Sequence, residues 1–70
     1  MEIYANCLKT NRAFVYFSKI QHVSWDIEPD NMFNVKIHTN APRHVNQRMS
    51  KEDFTKFLNA YMSYEGVSFL

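Results

Sequence analysis

The hydrophobic pattern changes period once along the chain. Before residue 50, apolar and polar positions alternate in short runs. From Phe54 onward they recur at Phe54, Phe57, Leu58, Tyr61 and Met62. That spacing is i, i+3, i+4, i+7, i+8, the stripe of a helix packed on one side. The opposite face carries Lys51, Thr55, Lys56, Asn59 and Ser63. Ser50 has the side chain of an N-cap, and Asp53 stands at the capping-box position with a carboxylate shorter than the usual Glu. Glu52 and Asp53 put negative charge at the positive end of the helix dipole, and Glu52 pairs with Lys56 at i, i+4. Met49 and Phe54 occupy the two staple positions. Gly66, the one glycine in the sequence, stands where a left-handed C-terminal cap belongs, with Val67 folding back toward Met62. These signals predict a helix over 50–66 that serves as a core helix.

The earlier runs have period two and predict strands. In 1–8, Ile3, Ala5 and Cys7 share one side, so Cys7 reads as a small buried hydrophobe. Residues 9–12 are polar and fit a turn. Residues 13–17 form a continuous run of aromatic and β-branched side chains, a strand buried on both faces or at a contact between copies. Residues 20–27 alternate, with Val23, Trp25 and Ile27 inward and His22, Ser24 and Asp26 outward. Residues 28–31 are a turn, and Pro29 bars a central strand there. Residues 32–39 are the cleanest strand, with Phe33, Val35 and Ile37 inward and Asn34, Lys36 and His38 outward. After a turn at 40–42, residues 43–49 repeat the pattern with Val45 and Met49 inward and His44, Asn46 and Arg48 outward. The connections are too short for parallel crossovers. The predicted fold is α+β: an antiparallel β-meander of four to five strands with one C-terminal helix packed on one face.

Composition narrows the picture. Seventy residues bound the chain to one domain, 1–70. Apolar residues are 46% and aromatics 16%, enough for a core and a subunit interface, which favours a homodimer. The net charge of +1 nominates no charged partner. One cysteine excludes an intrachain disulfide framework and points to a reducing compartment. With neither a signal-like segment nor a bilayer-spanning apolar run, the expectation is a cytoplasmic protein without a membrane partner.

Candidate chemistry lies on the outward sheet face, which holds all three histidines. A metal site there needs imidazoles from adjacent strands, with Asp26 as a further ligand, but no two histidines have ligand spacing within one element. Acid–base catalysis by a histidine pair is admissible chemistry, yet no glycine-rich loop, serine elbow or paired-carboxylate motif accompanies it. The expectation is a non-enzyme with no cofactor and no metal. Between Asn31 and Lys51 lie four basic residues, Lys36, Arg43, Arg48 and Lys51 counted, and no acidic one. Such a face can hold a single nucleic-acid strand, with Tyr4 for stacking. The plainer reading is a solvated hairpin whose charge is offset by Asp26, Glu28 and Asp30. Phe14 and Tyr16 alternate against Ala13, Val15 and Phe17, so one set is left for an interface, with Tyr4, Tyr64 and Phe69 as further candidates.

The segments "SKIQHVSWDIE", "MFNVKIHTN" and "MSKEDFTKFLNAY" together resemble small accessory proteins of bacteriophages and mobile elements. The resemblance covers most of the chain and transfers no functional residue. It implies a phage-encoded inhibitor or modulator that occludes a surface of a bacterial host or defence protein. The partner-binding residues expected for that role are Lys36, His38, Arg43, His44 and Arg48. The alternative is a nucleic-acid-binding module using the same basic face.

Overall fold

The computed structural model describes residues 1–40 and 44–65. The expected Gly66 cap, Val67, Phe69, most of the 40–42 turn and Arg43 lie outside the described residues. The fold is α+β, with two antiparallel three-stranded sheets and one C-terminal helix. The first sheet has the order β1 (Glu2–Ile3), β2 (Cys7–Lys9), β3 (Phe14–Tyr16). A short 3-10 turn, Phe17–Lys19, leads into the second sheet of β4 (Ile20–Ile27), β5 (Phe33–Thr39) and β6 (His44–Met49). The helix α1 is Lys51–Glu65.

The helix forms as its sequence dictates. The Ser50 hydroxyl accepts the Asp53 N–H at 3.1 Å, closing one of the free amides of the first turn. Glu52 and Lys56 lie 3.7 Å apart. Phe54 and Phe57 are buried, and Leu58, Tyr61 and Met62 are half-buried. Phe17 is the hub between the helix and the first sheet: fully buried, it meets Phe57, Tyr61 and Tyr64 edge-on at 6.0, 5.7 and 5.8 Å. Leu8 and Val15 join it from the first sheet, and Ile20, Val35, Ile37 and Met49 from the second. One core therefore draws on every layer.

Three differences from the sequence pattern have local causes. The run 1–8 is not one strand. Tyr4 N–H donates to the Cys7 carbonyl at 2.8 Å, turning the chain so that β1 and β2 form a hairpin. Register pairs Ile3, Leu8 and Val15 across the core face, whereas Cys7 stands opposite Tyr16 on the other face. Cys7 is buried, but not by sharing a face with Ile3. In 13–17 the strand ends at Tyr16, and Val15 faces inward while Phe14 and Tyr16 are more than half exposed, so they are the unburied set. In β4, Trp25 packs on Phe54 at 5.0 Å and stays 46% exposed, and Ile27 is 66% exposed rather than inward. β4 is an edge strand, and Ile27 sits at its far end beside the 28–31 turn, while its row partner Phe33 on the central strand takes the place against Phe54 of the helix. That turn is closed by the Glu28–Met32 and Asn31–Glu28 backbone bonds, with Asn31 at φ 63°; asparagine tolerates that left-handed conformation.

Candidate functional site

The strand register sorts the outer face of the second sheet into three rows. His22, His38 and His44 form the first, Ser24, Lys36 and Asn46 the second, and Asp26, Asn34 and Arg48 the third. The first row depends on an irregularity in β4. Ile20 pairs with Thr39 and His22 with His38, so β4 carries one extra residue, Gln21, at this point. Such a bulge re-aims the side chains around it. Here it lets Ile20 reach the core while His22 turns outward beside His38.

The imidazoles are in contact across the sheet. His22 stacks on His38 with centroids 3.9 Å apart and planes 17° from parallel, and His44 lies 5.5 Å from His38. Desolvation, followed by the positive charge that His22, His44 and Lys36 can carry, holds His38 below the ordinary imidazole range. No carboxylate pairs with any of the three among the described residues. Stacked rings present their faces to each other, not their nitrogen lone pairs. Among the described residues no group of three or more His, Cys, Asp or Glu side chains is arranged to hold a metal ion.

Arg48 has a different environment from Lys36. Its guanidinium is bound by Glu28, with Nε 2.8 Å from the carboxylate, and by Asp30. These hydrogen bonds, Glu28 first, raise Arg48 above its ordinary value, while a backbone bond from Met32 leads the causes that lower Asp30. The cation is engaged in tying β6 to the β4–β5 turn. Lys36 is exposed and forms no ion pair among the described residues. Of the expected binding residues, then, the sheet groups Lys36, His38 and His44, sets Arg48 apart in an ion-pair cluster, and leaves Arg43 outside the described residues.

Two clefts flank β6 and β3. The first, about 620 Å³, lies between the β2–β3 turn and β6, lined by Arg12 and Asn11 on one side and His44, Asn46 and Arg48 on the other. Thr10 fixes that turn: its buried hydroxyl accepts the Arg12 and Ala13 amides at 3.2 and 3.1 Å. Arg12 carries no sequence mark of a site, because only the packing of the two sheets brings its turn to β6. The second cleft, about 480 Å³, is lined by Phe14, Val15, Tyr16, Lys19, Asn40 and Val45, among others. Phe14 and Tyr16 stand 57% and 52% exposed at its mouth, on a strand that has no sheet partner on its outer side among the described residues. Lys9 lies over the Phe14 ring at 5.8 Å.

No helix of the described residues is long and apolar enough to cross a membrane. No family model, no curated protein and no solved structure matches the chain.

Proposed function

We propose that the protein is a non-enzymatic binding protein that acts by covering a surface of another protein. The observation that carries this reading is the β3 edge: two exposed aromatics, Phe14 and Tyr16, on a strand whose outer edge is unpaired among the described residues, above an apolar cleft. A free edge offers backbone N–H and C=O groups to an extended segment, and the alternate side chains grip it. Aromatic residues of this kind dominate the energetics of interface cores. The occupant is an extended, apolar strand of a partner protein. The resemblance to small phage proteins extends the proposal to a bacterial host or defence protein as that partner, with inhibition by occlusion in the bacterial cytoplasm. A second copy pairing at the same edge, a homodimer, is the competing occupant.

The test is affinity purification from bacterial lysate with the native chain and with a Phe14→Ser/Tyr16→Ser double variant. Both side chains are outside the core, so the variant keeps the native circular dichroism and melting profile. The expected outcome is one stoichiometric partner for the native chain and none for the variant. An unchanged partner in the variant, or none with the native chain, overturns the reading. Light scattering on dilution identifies a homodimer.

A second reading, a nucleic-acid-binding module on the outer sheet face, draws support from the position of Lys36 in the row next to the histidine row. The engagement of Arg48 by two carboxylates weakens it. A salt titration with single- and double-stranded oligonucleotides at neutral pH decides: a steep log–log slope sustains it, and flat, weak binding removes it.

A further inference from the structure

We propose that the histidine row and the cleft beside β6 form a proton-gated site for a tetrahedral oxyanion of the phosphate or sulfate class. This goes beyond the protein-binding reading and uses a different surface from the β3 edge.

Four observations carry it. First, His22, His38 and His44 are drawn into one contiguous row over all three strands, with ring contacts at 3.9 and 5.5 Å. His44 also lines the 620 Å³ cleft, so row and cleft are continuous. Second, the charged groups around the row are cations. Lys36 of β5 lies in the next row, and Arg12 of the β2–β3 turn lines the cleft with His44. Third, the acids are remote or engaged. Asp26 of β4 is four residues along the strand from His22, about 13 Å at the usual rise, beyond a Debye length of about 8 Å at physiological salt. Glu28 and Asp30 hold Arg48 at that same end. Fourth, the neighbouring side chains Ser24 and Asn46 offer neutral hydrogen-bond donors in the Lys36 row.

The gate follows from histidine chemistry. As neutral rings His22 and His38 stack, with His44 tilted beside them, and each ring offers a single N–H. Protonation makes both nitrogens donors and gives the row up to three positive charges that no carboxylate among the described residues pairs with. A bound oxyanion removes that repulsion, so proton uptake and anion binding favour each other by linkage. The Lys36 ammonium alone, in high dielectric, does not make a site at neutral pH.

Sulfate is the probe, because its charge is constant over the range in which histidine titrates. Imidazole ring signals of the full chain are followed by NMR during sulfate addition at constant ionic strength, at about pH 5.5 and about pH 7.5. The expected result is saturable shifts of the ring signals of all three histidines at the lower pH, with affinity weaker by about tenfold or more at the higher pH, as the rings lose their charge. His38→Gln, which keeps a polar side chain of similar reach, abolishes the saturable shifts of His22 and His44. The variant's amide spectrum reports its fold, and His22→Gln, at an exposed position on the edge strand, gives a second variant with the same expected loss. Equal affinity at both pH values, no saturable shift at the lower pH, or unchanged binding in either folded variant overturns the proposal. An arm with a short single-stranded oligonucleotide at the lower pH separates the two sources of the oxyanion. Binding tighter than sulfate assigns a phosphodiester backbone, and equal or weaker binding assigns a free ion.

Discussion

His38 illustrates how one residue's surroundings set a solution property. Its folded-state value lies below the ordinary 6.5 because of desolvation and the neighbouring positive charges. As pH falls through 6.5, the unfolded chain takes up its proton first. The contribution of His38 to stability is therefore complete above that pH and lost as pH falls through the folded value. In chloride buffer the melting temperature should decline on acidification before the carboxylates titrate, and His38→Gln should flatten that part of the profile. An unchanged slope would exclude His38 as the cause. Ser50 gives a second residue-scale prediction. Ser50→Ala removes the acceptor of the Asp53 amide and should lower unfolding free energy by about 1 kcal/mol in urea titration. The Ser50 cap is written in the sequence because donor and acceptor are three residues apart. The histidine row is not, since it needs the pairing register of three strands and the extra residue at Gln21. Arg12 is less legible still, as its neighbours His44 and Asn46 lie more than thirty positions away.

At the scale of elements, the helix was fully legible over the described residues and the first sheet only in part. Helix signals are redundant: stripe, cap, charge bias and an i, i+4 pair all agree. A strand of two or three residues has no room for a period, so β1 and β2 merge in the pattern into one run, and the turn at Tyr4 to Cys7 carries neither glycine nor proline. Ile27 misled for a related reason: alternation gives parity, while burial requires something opposite. Phe57 tests the helix as an element. It is fully buried against Phe17. Phe57→Ala should cost about 3–5 kcal/mol, a large share of the stability available to a domain of this size. Loss of the cooperative melting transition is the readout. A variant that remains folded but fails to capture its partner would mean that the helix, not the β3 edge, is the binding surface.

For the whole molecule, polarity is divided by location. Exposed apolar side chains stand on two edge strands, Phe14 and Tyr16 on β3 and Trp25 and Ile27 on β4, while the paired charges lie at the β4–β5 turn end and the histidine row at the opposite end of the second sheet. The aromatic excess noted in the composition thus divides between a core built on Phe17, Phe54 and Phe57 and an exposed set, Tyr4, Phe14, Tyr16, Trp25 and Tyr64, of which Phe14 and Tyr16 are the most exposed. The two sheets also differ in cooperativity. The second has strands of six to eight residues, the first of two and three. Short strands open at lower free energy than long ones. Cys7 turns that difference into a measurable rate. It is the chain's one thiol, buried in the middle strand of the smaller sheet. An aromatic disulfide reagent reaches the buried thiol only when the structure around it opens, so the labelling rate at saturating reagent is the rate of that opening. Labelling should outpace global unfolding extrapolated to the same conditions, and the emission of Trp25, seated on Phe54 in the larger sheet, should stay native while the thiol is consumed.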